Sequence, residues 1–515
     1  MTGTDLIERL VAVHLAADDG LRVAYVDPDV GEVSYQRLYE AARRYAGRLA
    51  EAGIASGTRG LVIADDSVAT VVAILGSWWH GCTPVPVSPL LSKDDLEYVA
   101  EQCTPRFVHW DEQGRRAERW AAWIRPEIAL DTGSVLAAFD EEVTGIPVEV
   151  NPPDAAVERP ALWPDGSEAL VQFTSGSTGR PKGVRHTAQA IVGMLDGFGG
   201  LLGLRPDDRV LSSARMTFGY GFGSSVLCSL SAGATVILIR GAIDVHSVVA
   251  AAQLHGPTVF CSVPRMYAAL MDHQKQRPTS AFSSVRLCLS AGENCPRELA
   301  DRIRRVFSAD LVNCLGATEA LHVVLSTHTE RDALGSLGFA VPGTIATVRD
   351  GEGRTAVDGG PGRLHVAGPT VSLGYIGQSD ARVFADGGLY TGDIACRRDD
   401  GSFDYVCRND DLLMLGGHKV APGEIESAVL SAEGVRQCAV IGAFDDHGLM
   451  VAIAYVVPEA DMDADTVRRT ISAAIRGKLP PYKRPSTIEL IPELPVTVTG
   501  KIAAYQLRSN HGSSR

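Results

Sequence analysis

The run Phe173-Thr174-Ser175-Gly176-Ser177-Thr178-Gly179-Arg180-Pro181-Lys182-Gly183-Val184 packs hydroxyls, glycines and one lysine more densely than ordinary structural needs explain. Such a segment suits an oxyanion: glycines let backbone N–H groups come close, Ser and Thr hydroxyls add donors, and Lys182 brings a mobile positive charge. The chemistry implied is a grip on the phosphates of a nucleotide. A Walker A loop has Gly-Lys followed directly by Ser or Thr, whereas Lys182 lies three residues after Gly179 and precedes Gly183, so this is not an ordinary P-loop ATPase. The apolar run Ala169 to Phe173 predicts a buried strand before the loop, and the periodic Ile191, Met194 and Leu195 predict a helix after it.

Further short motifs follow in order: Leu315-Gly316-Ala317-Thr318-Glu319, Tyr390-Thr391-Gly392-Asp393, Arg408-Asn409-Asp410-Asp411, Gly423-Glu424-Ile425-Glu426 and Val498-Thr499-Gly500-Lys501-Ile502. Alone, Glu319 reads equally as a carboxylate at a helix start, Asp393 as a turn residue and Lys501 as solvated surface. As a series after the phosphate loop they resemble the adenylate-forming superfamily, which contains acyl-CoA and aryl-CoA ligases, luciferases and the adenylation domains of peptide synthetases. The resemblance spans nearly the whole chain.

That resemblance implies an α/β enzyme. A large N-terminal domain of mixed sheets with packed helices and a small β subdomain is expected over 1–408, and a small mobile α+β lid domain over 409–515. It also implies a reaction. A carboxylate is a poor electrophile, and attack of its oxygen on the α-phosphorus of ATP expels pyrophosphate and leaves an acyl-AMP with a good leaving group; the protein positions reactants and stabilises charge. Carried over residue by residue, Thr174, Ser175, Gly176, Ser177, Thr178, Gly179 and Lys182 bind the ATP phosphates. Thr318 touches phosphate and Glu319 binds Mg2+. Gly292, Glu293 and Asn294 line the adenine, and Arg408 sits near the ribose and α-phosphate. Asp393 accepts from both ribose hydroxyls, two acceptor oxygens suiting a vicinal diol. Lys501 bridges the carboxylate and the α-phosphate, and Asp410 is the hinge about which the lid turns for thiol transfer.

For the acid, Thr217-Phe218-Gly219-Tyr220-Gly221-Phe222-Gly223 spaces aromatic rings with glycines, a pattern that serves a flat slot or plain core packing. With Ser290-Ala291-Gly292 and Thr318 to Val324 it is similar to the benzoate-CoA and hydroxybenzoate-CoA ligase branch. This implies that Phe218, Tyr220, Phe222, Ala291, Gly316 and His322 contact an aryl or other compact ring acid. No Asp stands in this region to pair with the ammonium of an amino acid. The implied acceptor is the thiol of CoA. The alternatives are the phosphopantetheine of a carrier protein acting in trans, as in natural-product assembly, or a non-thiol nucleophile, including nitrite activated for diazotisation of an aromatic amine. Lys419 on the thiol side, Leu315 before the Gly-x-Thr-Glu motif, Trp78-Trp79 at a helix end and the missing arginine before the final motif depart from the family pattern, which bears on the acceptor rather than on adenylation.

The composition agrees. The 515 residues exceed a single core. A formal charge of −14 argues against nucleic acid or an anionic membrane as partner. No apolar run reaches the ~18 residues of a membrane helix. Asp5, Glu8 and Arg9 interrupt any leader-like start, so the expected place is the cytoplasm, as a monomer or homodimer. Ten cysteines without a CxxC pair read as reduced core thiols. Strands are expected at Leu61–Ala64, Ala234–Ile239, Thr258–Phe260 and Arg286–Ser290, helices at Leu38–Ala52 and Asp244–Leu254, and glycine-punctuated short strands from Gly343 to Gly374. The tail is expected to hold helices at Gly423–Leu430 and Asp465–Lys478 and strands at Gln437–Ile441 and Val451–Val457.

Overall fold

The computed structural model describes residues 3–16, 20–111, 128–140, 158–174, 181–327, 335–356, 359–415, 418–445, 449–459, 462–496, 502–504 and 506–508. The chain forms two compact units, one of Met1–Thr347, His365–Thr391 and Asp400–Phe403, the other of Val348–Leu364, Gly392–Asp399 and Asp404–Arg515.

In the first unit the described residues build a nine-stranded sheet, ordered Phe339–Ala340, Val323–Ser326, Asp310–Gly316, Leu287–Ser290, Val259–Ser262, Arg209–Ser212, Thr235–Ile237, Val23–Asp27 and Gly31–Ser34. Its central strands are parallel. Val259–Ser262 and Leu287–Ser290 are buried at every position, the pattern of strands covered on both faces. Between them in the chain runs the helix Pro264–Gln276, started by a proline whose missing N–H costs nothing there. The preceding helix Val245–His255 is closed at its start by a reciprocal bond pair between Asp244 and Ser247.

A parallel four-stranded sheet orders Thr83–Val87, Arg59–Ile63, Phe107–Trp110 and Ile128–Asp131. Helix Tyr35–Glu51 packs on helix Val68–His80 so closely that a Cβ on Gly76 would stand 2.6 Å from the Tyr45 ring. Trp78 is fully buried and donates its indole N–H to the carbonyl of Ala169 at 2.7 Å, which anchors the strand leading to the phosphate loop.

That strand, Glu168–Thr174, covers the expected run, and the helix expected from Ile191 and Met194 is present after one intervening strand. Lys182–Thr187 returns antiparallel to it, and only then does helix Ala188–Met194 begin. The phosphate loop therefore joins the arms of a hairpin. The return strand carries a single apolar side chain, Val184, so it gives no period-2 signal.

The second unit holds a three-stranded sheet of Val435–Phe444, Met450–Pro458 and Thr487–Leu490, the first pair antiparallel and the second parallel. Helices Pro422–Leu430 and Ala464–Lys478 share a core with it through Ile425, Val429, Val467, Ile471 and Ile475. All ten cysteines are free thiols and only Cys396 is partly exposed. Among the described residues no helix is long and apolar enough to cross a membrane.

Candidate active site

The hairpin register sets Thr174 opposite Lys182, so the loop begins and ends at one place. Ser175, Gly176, Ser177, Thr178 and Gly179 lie outside the described residues, as does Lys501. Alongside the return strand runs the segment Leu373 to Ile376. Its backbone bonds, Leu373 N to Arg185 O at 2.8 Å, Arg185 N to Gly374 O at 3.0 Å and Ile376 N to Gly183 O at 2.8 Å, make it a third arm of the hairpin. A Cβ on Gly183 would come 2.8 Å from Ile376 and 2.9 Å from the Phe173 ring, so a side chain after Lys182 would have to displace both. Lys182 Nζ is 4.8 Å from the centroid of the Tyr375 ring and 3.5 Å from Asp380 Oδ2. Neither Tyr375 nor Asp380 stood out in the sequence. A lone tyrosine after glycine has no spacing signal until its pairing is known.

Thr318–Ala320 is a single 3-10 turn. The Tyr375 hydroxyl donates to Glu319 Oε1 at 2.7 Å and the Ser372 N–H to the Glu319 carbonyl at 2.9 Å. Lys182 and Glu319 thus meet on the two sides of one phenol. Leu321 follows with φ +68° and ψ −49°, and His322 N bonds Ala320 O at 2.8 Å across it. This γ-turn with a side chain in the left-handed region costs on the order of 1–3 kcal/mol and persists only where surroundings impose it, here through the full burial of Leu321.

The turn aims His322 inward. Its buried ring lies 5.3 Å from that of Phe198 and 6.2 Å from that of Tyr220, and Nε2 is 3.3 Å from the Tyr220 carbonyl oxygen. Burial pushes its pKa down to about 4, so it is neutral near pH 7. A Cβ on Gly316 would stand 2.8 Å from the His322 carbonyl oxygen, and one on Gly223 would stand 2.0 Å from the His322 ring.

Phe218 precedes the short helix Gly219–Phe222, which continues into a π-helical turn over Gly223–Cys228. The Tyr220 hydroxyl donates to the Leu289 carbonyl at 3.1 Å, at the end of the strand that leads to buried Ala291. The Phe222 ring is fully buried and sits edge-on to Trp78 at 6.2 Å, a core position. Tyr220, Gly316, His322 and the start of the Ala291 turn are therefore together, while Phe222 faces the packed interior. In that turn Gly292 has φ +87°, Glu293 pairs with Arg265 at 3.6 Å and Asn294 is exposed.

In the second unit Asp393 is buried and accepts from Arg408 Nη1 at 3.0 Å. Gly392, at φ +79°, holds a backbone conformation that favours glycine, and a Cβ there would come 2.6 Å from Arg408 Nη2, so a side chain would displace that guanidinium. Asp410 is the middle residue of the 3-10 turn Asn409–Asp411. Among the described residues no group of three or more His, Cys, Asp or Glu side chains could by itself hold a metal ion.

The chain matches known proteins along nearly its whole length. A family model described as AMP-binding enzyme matches residues 14–376, and one described as AMP-binding enzyme C-terminal domain matches residues 424–501. The chain is 30% identical over 509 residues to a 4-hydroxybenzoate–CoA/benzoate–CoA ligase of Rhodopseudomonas palustris, covering 98% of this chain and 93% of that protein. It is 29% identical to a benzoate–CoA ligase of Thauera aromatica, covering 97% and 95% of the two chains. Its fold superposes on an anthranilate CoA ligase solved with anthranoyl-AMP at a TM-score of 0.89 and 26% identity, covering 100% and 99%.

Proposed function

The chain belongs to the AMP-binding enzyme family, and from that premise we propose that it activates an aryl carboxylic acid with ATP and passes the acyl group to the thiol of CoA. In the first step a carboxylate oxygen attacks the α-phosphorus and pyrophosphate leaves. In the second the CoA sulfur attacks the acyl carbon, its proton is lost, and AMP leaves with the bridging oxygen.

One observation carries the reading. Lys182, at the end of the phosphate loop, and Glu319, of the Gly-x-Thr-Glu motif, are tied to the same side chain, Tyr375, by ring face and by hydroxyl. A cation and a carboxylate held on one rigid phenol suit a triphosphate with its counter-ion. Glu319 offers the hard oxygen ligand that Mg2+ takes, commonly as one or two carboxylates together with substrate phosphates. When bound, Mg2+ would neutralise charge on those phosphates.

In this proposal Thr174 to Gly179 and Lys182 hold the phosphates, and Asp393 and Arg408 take the ribose. Tyr220 and His322 bound the acid. A neutral His322 adds no charge to repel or trap the carboxylate. Lys501, by its motif, bridges carboxylate and α-phosphate. The domain from 409 onward acts as the lid about Asp410. ATP and CoA are both cytoplasmic, and there the enzyme would work.

The test is pyrophosphate release from ATP and Mg2+ with a panel of ring acids, with and without CoA. Acid-dependent release, with a thioester formed only when CoA is added, supports the proposal. Acid-independent ATP turnover, or an adenylate that CoA never consumes, refutes it. A carrier thiol consuming the adenylate instead identifies a different acceptor, and pyrophosphate release driven by nitrite in place of the ring acid identifies a different activated group.

A further inference from the structure

Gln172 lies on the strand Glu168–Thr174 opposite Val184. Its side chain is 2% exposed, and among the described residues neither Nε2 nor Oε1 has a hydrogen-bond partner. Its surroundings locate the carboxamide. A Cβ built on Gly219 would stand 3.5 Å from Gln172 Oε1, 3.9 Å from Nε2 and 3.5 Å from the Leu321 carbonyl oxygen. The amide therefore points into the gap between the segment of Tyr220 and the turn of His322, where glycine at 219 leaves space.

Two more buried polar atoms of those segments, Thr217 Oγ1 and His322 Nδ1, also lack a partner among the described residues. His322 Nε2 faces the Tyr220 carbonyl, so it carries the imidazole hydrogen and leaves Nδ1 a bare acceptor. An unpaired buried amide is costly, and most buried polar groups are satisfied. The unpaired Gln172 carboxamide in that gap, with Thr217 and His322 on the two segments that flank it, calls for a partner that both donates and accepts.

We infer that Gln172 is a specificity residue of the acid site, exchanging hydrogen bonds with a polar ring substituent, so that the substrate is a ring carboxylic acid bearing a hydroxyl or amino group. This rests on the adenylation reading above. A site built to bond such a group discriminates against the analogue lacking it, because its own polar atoms are then left unpaired.

The experiment compares benzoate with its 2-, 3- and 4-hydroxy and amino derivatives by pyrophosphate release, in the wild type, Gln172→Leu and Gly219→Ala. The best substituted acid should exceed benzoate in kcat/KM by about 10-fold or more in the wild type. Gln172→Leu should cost that acid about 10- to 100-fold, chiefly in KM, and benzoate far less. Gly219→Ala meets no atom closer than 3.5 Å and so folds; its methyl beside the carboxamide should lower the substituted acid more than benzoate. It decides the matter if Gln172→Leu does not accumulate.

A wild type without preference overturns the inference. So does a preference that survives both variants, or an equal loss on both acids, as expected if Gln172 only holds a structural water. If no ring acid releases pyrophosphate from the wild type, the activity reading falls and this inference falls with it.

Discussion

Tyr375 donates its phenolic hydrogen to Glu319 Oε1 at 2.7 Å while Lys182 Nζ rests 4.8 Å from the centre of its ring. Tyr375→Phe separates these roles, keeping the ring beneath the lysine and deleting the bond to the carboxylate. We expect pyrophosphate release to fall about tenfold, as loss of a hydrogen bond to a charged group worth about 1.5 kcal/mol requires, with a several-fold higher Mg2+ requirement. Magnesium titration of the variant checks it. An unaltered magnesium dependence would remove Tyr375 from the site.

Gly221 is fixed by backbone rather than by a ligand. A Cβ there would stand 2.1 Å from the Arg215 carbonyl oxygen and 2.4 Å from that of Ala214, and neither can rotate away. Gly221→Ala should cost about 1–3 kcal/mol in denaturant unfolding, as overpacking does. Gly219→Ala, in ordinary contact, should cost under about 0.5 kcal/mol. Equal midpoints for the two would contradict this local geometry.

His186 is fully buried, neither ring nitrogen has a partner among the described residues, and burial pushes its pKa down to about 3. The folded chain keeps it neutral, whereas the unfolded chain binds a proton below about pH 6.5, so stability is lost as the pH falls from 6.5 toward 3. From pH 8 to pH 5 this group alone costs about 2 kcal/mol, at about 1.4 kcal/mol per pH unit below 6.5. His186→Leu should therefore gain about 2 kcal/mol more over wild type at pH 5 than at pH 8. A difference that is constant with pH would mean that the folded protein accepts the proton.

Lys501→Ala should lower pyrophosphate release at least about 100-fold, the scale for removing one preorganised charge partner, with the melting temperature unchanged. Asp410→Pro, which fixes φ at the expected hinge, should spare pyrophosphate release and block thioester formation from a preformed acyl-adenylate. Normal thiol transfer in the proline variant would exclude rotation about Asp410.

Much of the fold was legible because apolar runs and caps are local. The strands Val259–Ser262 and Leu287–Ser290 overlap the runs Thr258–Phe260 and Arg286–Ser290 expected as strands, Gly53 at φ +71° ends the helix that Leu38, Ala42, Tyr45 and Leu49 outline, and the helix Pro422–Leu430 begins within a residue of its expected start. What escaped depends on tertiary contact. The return strand Lys182–Thr187 owes its strand form to Thr174 and Gly374 on either side of it, and the Leu321 turn is imposed by the packing around it. The motif residues Lys182 and Glu319 could be picked out, but Tyr375 between them and Gln172 on the strand Glu168–Thr174 could not, because neither lies in a chemically suggestive spacing.

The most direct measurement follows oxygen. A ring acid labelled with 18O at both carboxylate oxygens is incubated with ATP, Mg2+ and CoA, and the nucleotide product is analysed by mass spectrometry. Formation of an acyl-AMP and its thiolysis predict AMP carrying one 18O, pyrophosphate carrying none, and one acyl-CoA per AMP. Label appearing in inorganic phosphate beside ADP, or AMP without label, would contradict activation of the carboxylate as its adenylate.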